Sequence, residues 1–238
     1  MKIALLGYGK MGMEIEKIAL ERNHEIVLKV NQDNLADLTT ENLKKADVAI
    51  EFSTPSTALS NIQMCFNSKV PVVVGTTGWL DHLPECVAIC NAGKGALFYA
   101  SNFSVGVNIF FALNKKLAEM MQQYPEYKVE MEEIHHTQKL DAPSGTAITL
   151  AEGILEKNDR LQNWVNEPTN ESSELGIVSK RITNVPGTHS IKYNSEIDEI
   201  FIQHTAHNRK GFASGAVLAA EFMKEKTGYF GMQDLMGF

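Results

Sequence analysis

Hydrophobic residues in the first hundred positions come in short bursts separated by helical spacing. Residues 2–6 (KIALL) form an apolar run that predicts a buried strand, ended by Gly7. From 11 to 22, apolar residues at 11, 15, 18 and 19 follow the period of one helix face. Residues 25–30 alternate weakly as a second strand, and the polar 31–45 predicts a loop and a short helix. A third strand is expected at 47–52 (DVAIEF), then a helix with Thr54 as cap and Pro55 in its first turn. The runs at 70–74 and 96–100 predict a fourth and a fifth strand.

Beyond residue 102 the pattern changes. A long helix is expected at 104–124, a strand with one wet face at 128–134 (KVEMEEI), and a helix at 146–157. Strand-like runs follow at 177–182, 190–193 and 197–205, then a final helix at 212–226. The polar, Asn-rich 158–174 predicts a surface loop. Strands alternating with helices imply a parallel sheet wound on both sides. The expected fold class is therefore α/β: an N-terminal Rossmann-like, doubly wound parallel sheet, followed by a second α+β domain with a mixed sheet. The first domain is placed at 1–102 with 211–238 packing back on it, and the second at 103–210.

Composition narrows the function classes. The 238 residues are 44% hydrophobic and 21% charged, ordinary for a globular chain. A net charge of −7 argues against non-specific binding to nucleic acid or to an anionic membrane. An anionic substrate would need locally concentrated cations. Three cysteines, Cys65, Cys86 and Cys90, argue against a disulfide framework. The run in MKIALLGYGKMG is too short for a signal peptide's core, and no apolar stretch reaches spanning length. A soluble, cytoplasmic protein is expected.

Four stretches carry chemistry. In Gly7-Tyr8-Gly9-Lys10-Met11-Gly12, between a predicted strand and helix, Gly7 and Gly9 permit a tight turn and close approach to a pyrophosphate. Gly12 allows close packing of helix on strand, and Lys10 could add a phosphate contact. A glycine-rich turn without a ligand is the plainer reading. The second strand ends at Val30-Asn31-Gln32-Asp33, without a carboxylate at the usual ribose position; Asp33 is either a ribose ligand or a loop charge. Gly75-Thr76-Thr77-Gly78 follows the fourth strand and leaves room for a flat ring. Asn102 and Phe103 follow the fifth and could line a nicotinamide; turn and capping chemistry is the alternative for both stretches.

The fourth stretch, HHTQKLDAPSGTA from His135 to Ala147, is the densest. Asp141 or Ser144 can cap a helix whose start, at Gly145 and Thr146, presents backbone N–H groups to an anion. His135, His136 and Lys139 lie just upstream, and clustered cations lower one another's pKa, moving a lysine toward proton donation. A metal set from His135, His136, His204 and His207 lacks a carboxylate or cysteine at a recognisable spacing, so no metal is expected.

At this point the chain resembles the 4-hydroxy-tetrahydrodipicolinate (dihydrodipicolinate) reductase family nearly end to end. EIHHTQKLDAPSGTA is its most specific mark; VGTTG at 74–78, SNFSVGVN at 101–108, Arg181, PGTH at 186–189 and HTAHNRKGFASGA at 204–216 also fit. The resemblance implies reduction of a cyclic imine dicarboxylate with NADH or NADPH, in lysine and meso-diaminopimelate synthesis. It makes His135 the catalytic histidine and Lys139 the proton donor, with His136, Ser144, Gly145 and Thr146 at the substrate. Gly7, Tyr8, Gly9, Lys10, Met11, Gly12, Asn31, Gly75, Thr76, Thr77, Ala100, Asn102 and Phe103 fall in cofactor-binding positions. A homotetramer joined through second-domain sheets is also implied, as is domain closure with hinges near 102 and 211. The sequence departs where Lys10 replaces a common Arg, where Glu51 and Ser53 replace Asp and Thr, and where Asn31 stands for an acid in some members. Another NAD(P)-dependent amino-acid or imine dehydrogenase, or a non-catalytic nucleotide-sensing regulator, is the rival; the regulator would not need His135–Lys139.

Overall fold

A computed structural model describes residues 1–208 and 210–238. The chain forms two compact units, Met1–Val105 with Lys210–Phe238, and Gly106–Arg209. Among the described residues no helix is long and apolar enough to cross a membrane.

The first unit begins β1 (Lys2–Leu6), α1 (Lys10–Glu21), β2 (Glu25–Val30), α2 (Thr40–Leu43), β3 (Val48–Glu51) and α3 (Pro55–Ser68). It continues with β4 (Val72–Val74), α4 (Leu83–Asn91) and β5 (Ala96–Tyr99). After the second unit the chain returns as α7 (Lys210–Met223), β11 (Gly228–Phe230) and α8 (Met232–Met236). The six strands form one sheet in the order β11-β5-β4-β3-β1-β2, every pair parallel. Strand alternation divides the core. Ile3, Leu5, Val48, Ile50, Val73 and Phe98 face α1 and α7. Ala4, Leu6, Ala49, Val72, Val74 and Leu97 face α2, α3 and α4. Buried on both faces, the strands read as unbroken apolar runs.

The second unit contains α5 (Val105–Met121, from Gly106 onward), β6 (Lys128–His135), α6 (Gly145–Leu155), β7 (Asn163–Val165), β8 (Glu174–Arg181), β9 (Gly187–Asn194) and β10 (Glu199–Ala206). Its sheet runs β10-β9-β6-β8-β7 and is mixed: β6 pairs antiparallel with β9 and parallel with β8. Phe110 and Ala118 of α5 and Leu150, Ala151 and Ile154 of α6 pack on Met131, Ile177, Ile191 and Tyr193.

The structure corrects the expected elements in several places. The last helix stops at Met223, where Lys224, Glu225 and Lys226 break the apolar period and Glu225 takes a φ of 62°. Beyond it lie a strand and a helix, β11 and α8, in the tail where no element was expected. The polar 158–174 contains β7, a three-residue strand too short for alternation to reveal. Residues 83–91, where no element was expected, form α4; its buried Cys86 and Cys90 thiols are both pushed up to about 11, chiefly by burial. Thr54 stands at the cap position of α3, but its hydroxyl meets those of Ser56 and Thr57 and caps no backbone N–H.

Helix α7 crosses the first unit closely at Gly215, where an added Cβ would fall 1.8 Å from the Phe103 carbonyl oxygen. Gly215→Ala gains about 1 kcal/mol of helix propensity but forces backbone apart, costing about 1–3 kcal/mol or more. The clash wins because a carbonyl in a packed turn cannot rotate away. A lower urea midpoint for Gly215→Ala is expected; an unchanged or higher midpoint would show that α7 yields.

Candidate active site

The parallel strands of the first unit bring their carboxyl-end loops together around one ring. Gly7, at φ +98°, approaches the Phe52 backbone so closely that a Cβ would sit 2.1 Å from its carbonyl oxygen. Gly75 approaches the Phe52 ring itself, where a Cβ would lie 2.1 Å from Cζ. Gly12 packs α1 on β1, 2.5 Å from the Gly7 oxygen by the same measure. Gly9 differs: its Cβ would meet nothing within 4 Å, and it begins α1 with no side-chain cap and no acid in the first turn. An open cradle at an uncapped helix start is what a pyrophosphate requires. The residues present therefore fit a dinucleotide.

The other expected cofactor positions divide. Exposed Lys10 stands at the first turn of α1, while the Met11 side chain packs into the core. Tyr8 donates its hydroxyl to Glu16, whose carboxylate also holds Lys29 at 3.0 Å. Lys29 thus sits 4.9 Å over the Tyr8 ring, and the Glu16 bond raises the Tyr8 pKa. Asn31 accepts from the Asp33 amide at 2.8 Å in a local turn, and Asp33 itself is exposed. Thr76 is buried: its Oγ1 accepts from Ser53 N at 2.8 Å and its carbonyl from the Trp79 indole at 2.8 Å. Thr77 is exposed beside it. Ala100 is buried, and Asn102 Oδ1 accepts from Ser104 N at 2.9 Å. The Phe103 ring, expected against a nicotinamide, lies in the core 5.6 Å from Phe52 and 5.9 Å from Phe98. It is too useful as apolar packing to stand open.

Sequence reasoning assigned no role to Glu51. It is fully buried at the end of β3 and accepts from Ser53 and Asn61, with its Oε2 unpartnered. Burial pushes its carboxyl up, against hydrogen bonds from Ser53, Thr76 and Asn61. It ties the loops after β3 and β4 from beneath.

In the second unit, alternation along β6 puts Met131, Glu133 and His135 on the buried face. Glu133 is fully buried. It accepts from Ser144 N at 3.1 Å on both oxygens and from Ser179 Oγ at 2.8 Å. The Arg181 guanidinium reaches it at 3.4 Å, His135 Nδ1 at 3.3 Å and His189 Nε2 at 3.7 Å. Burial opposes the ionised form, but the donors from His135, His189, Ser144 and Ser179 prevail and hold its pKa well below the carboxylate range. Burial lowers the His189 pKa, outweighing the pull of Glu133.

Ser144 is the cap of α6: its Oγ accepts from Ala147 N at 3.2 Å and lies 3.1 Å from His189 Nε2. Buried in this way, its hydroxyl faces the interior, unlike the substrate contact expected of it. Gly145 is exposed with nothing within 4 Å of a Cβ, so the start of α6 is reachable by an anion at that residue. The expectation that Lys139 sits among cations is corrected. Its Nζ is held by both Asp141 oxygens, at 2.9 and 2.7 Å, and lowers the Asp141 pKa. Arg181 fastens this loop, donating to the carbonyls of Lys139 at 3.3 Å and Asp141 at 2.6 Å. His136 is half-buried with its Nδ1 unpartnered.

The four-histidine metal set does not assemble. His204 lies beside Phe110, with ring centroids 6.1 Å apart, and His207 is exposed. Among the described residues, the grouping with possible ligand atoms within 4.8 Å is Glu133, His135 and His189. Arg181 already balances that carboxylate, which makes a buried cation there costly. The signal for Glu133 was present in the sequence: a carboxylate on the inward phase of an alternating strand. His189, Arg181 and Gly187 join the cluster only through pairing of β6 with β8 and β9. Part of the family-like run at 204–216 falls on residue 209, outside the described residues.

Two family models match the chain. The one described as dihydrodipicolinate reductase, N-terminus, covers residues 1–103, and its C-terminus counterpart covers 106–236. A 4-hydroxy-tetrahydrodipicolinate reductase of Christiangramia forsetii is 53% identical over 240 residues, spanning 99% of this chain and 98% of its own. That of Neisseria meningitidis is 32% identical over 229 residues, spanning 93% and 84%. A solved dipicolinate-bound dihydrodipicolinate reductase from Paenisporosarcina superposes with a TM-score of 0.78 at 27% identity, over 98% of both chains.

Because folding lowers the Glu133 pKa, its stabilisation is complete above the unfolded value of about 4.3 and is lost as pH falls toward the folded value. Wild type should lose up to about 1.4 kcal/mol per pH unit from this group in that window. Glu133→Gln should show a shallower acid limb in urea unfolding followed from pH 7 down to pH 3; parallel limbs would contradict the network.

Proposed function

We infer from the dihydrodipicolinate reductase family, to which this chain belongs, that it reduces 4-hydroxy-tetrahydrodipicolinate with NADH or NADPH. The product is tetrahydrodipicolinate, on the route to lysine and meso-diaminopimelate. One observation carries the site assignment: the second unit holds an open helix start at Gly145, a lysine at 139 and a carboxylate-backed histidine at 135 on one short segment.

When bound, the reduced nicotinamide supplies the hydride. The Gly9 cradle and the start of α1 would hold its pyrophosphate, with Lys10 adding charge. The start of α6 at exposed Gly145 receives one substrate carboxylate, and Thr146 and His136 contribute to the same recognition. After loss of water and reduction at the ring carbon that carried the hydroxyl, the ring is an enamine, and Lys139 Nζ delivers its proton. His135 assists by orientation and charge. The dipicolinate bound to the Paenisporosarcina protein supports a planar dicarboxylate ligand for this site.

The face of the second unit's sheet opposite α5 and α6 lines a concavity, with Pro168, Asn170 and Ser172 along one side. Ile134, Val178 and Phe201 stand there among Glu132, Lys192 and Gln203, around a concavity of about 950 Å³. Phe201 is 52% exposed. An apolar centre with a charged rim on a sheet face supports a homotetramer joined sheet to sheet. Phe201→Glu should give a smaller species than wild type in light scattering coupled to size exclusion; an unchanged mass would remove this face from the interface.

Lys139→Ala should lower kcat by about 10²–10⁴-fold while NADPH affinity, measured by fluorescence titration, stays the same. Equal losses of both would contradict its role. His136→Ala should chiefly raise KM for the imine, read in the same steady-state assay of nicotinamide absorbance.

A further inference from the structure

Glu133 is itself expected at neither substrate nor cofactor, yet three features of the site end on it. Its neighbour two residues on, His135, shares the inward face of β6 and brings Nδ1 to 3.3 Å from Oε2, off the axis of a full hydrogen bond. Such contacts are often loose without substrate and tighten in the complex. The amide of Ser144, which opens α6, donates to both carboxylate oxygens. Arg181 joins Glu133 to the carbonyls of Lys139 and Asp141. One carboxylate therefore braces the histidine, the helix start and the lysine loop.

The chemistry of the pair sets a direction. An ionised carboxylate can only accept, so the ring nitrogen facing it carries the proton. His135 is then left with Nε2 turned the other way, toward Gly187, where a Cβ would come within 3.0 Å of that nitrogen. The missing side chain at 187 is what gives Nε2 its room.

We propose that Glu133 is a positioning residue that holds His135 in its Nδ1–H form with Nε2 on the Gly187 side, and locks the start of α6 to the Lys139–Asp141 loop. This rests on the assignment of His135 and Lys139 to the reaction. A carboxylate that orients a working imidazole from behind has large kinetic leverage, since a misplacement of about 1 Å costs about 10²-fold.

The test uses the full-length protein with nitrogen-15 labelled histidine. In wild type at a pH where His135 is neutral, its ring shifts should report Nδ1–H. In Glu133→Gln, whose amide can donate toward the ring, they should move toward Nε2–H. Turnover of 4-hydroxy-tetrahydrodipicolinate, normalised to folded protein, should fall about 10²-fold with NADPH affinity kept, and Glu133→Asp should recover part of it. Gly187→Ala, which leaves the carboxylate in place but crowds Nε2, should also lower kcat, and covers the case where Glu133→Gln does not fold. Ile177→Ala, a core truncation in the neighbouring strand β8, controls for lost stability and should keep kcat. An Nε2–H signal in wild type, or unchanged kcat in Glu133→Gln or Gly187→Ala, would overturn the proposal. A wild type that turns over no imine would instead overturn the functional reading, and the ring shifts would still decide the positioning role.

Discussion

A carboxylate sealed from water stays charged only if enough donors converge on it, and the second unit is organised by that constraint. Glu133 is met by an amide, a hydroxyl, a guanidinium and two imidazoles, drawn from β6, β8, β9 and the start of α6. Removing any one leaves a buried charge short of partners, which is costly. The mixed sheet and the entry to α6 are thus held in one mutual arrangement by electrostatics as well as by apolar packing. That arrangement presents an open helix start and a lysine loop on the same short segment.

The first unit reaches a comparable convergence by a different means. Three loops close on Phe52, and two of them can do so only because residues 7 and 75 have no side chain. Glu51, directly before Phe52, secures the same loops from below through Ser53 and Asn61. Phe103 and Phe98 extend the aromatic packing into the core. The cradle at Gly9 remains open because everything around it is filled.

Much of this was readable from residue order, for identifiable reasons. Strands buried on both faces announce themselves as apolar runs, so β1 to β5 were visible; β7 and β11, three residues each, rely on neighbours for their pairing. The glycine fingerprint was legible because each glycine answers a local backbone demand. His135, Lys139 and Gly145 were legible as a dense local cluster. Lys139's partner was misread, since charge density alone placed it among cations, whereas Asp141 two residues on takes up its ammonium. Phe103 was misread because a residue at a strand's end can face the interior as readily as the crevice. His189 and Arg181 lie some fifty residues from His135 and meet it only through the register of β9 and β8, which no local pattern encodes.

The return of 210–238 to the first unit has a consequence for biosynthesis. As the chain emerges, β1 to β5 come out before α7, which shares with α1 the cover of one of their two faces. The side of the sheet bearing Ile3, Leu5, Ile50 and Phe98 waits for Ala216, Val217 and Ala220 of α7, which leave the ribosome only after the whole second unit. Nascent chains halted before α7 therefore carry an apolar sheet face covered only in part, by α1, the kind of surface that chaperones bind and that aggregates when they do not.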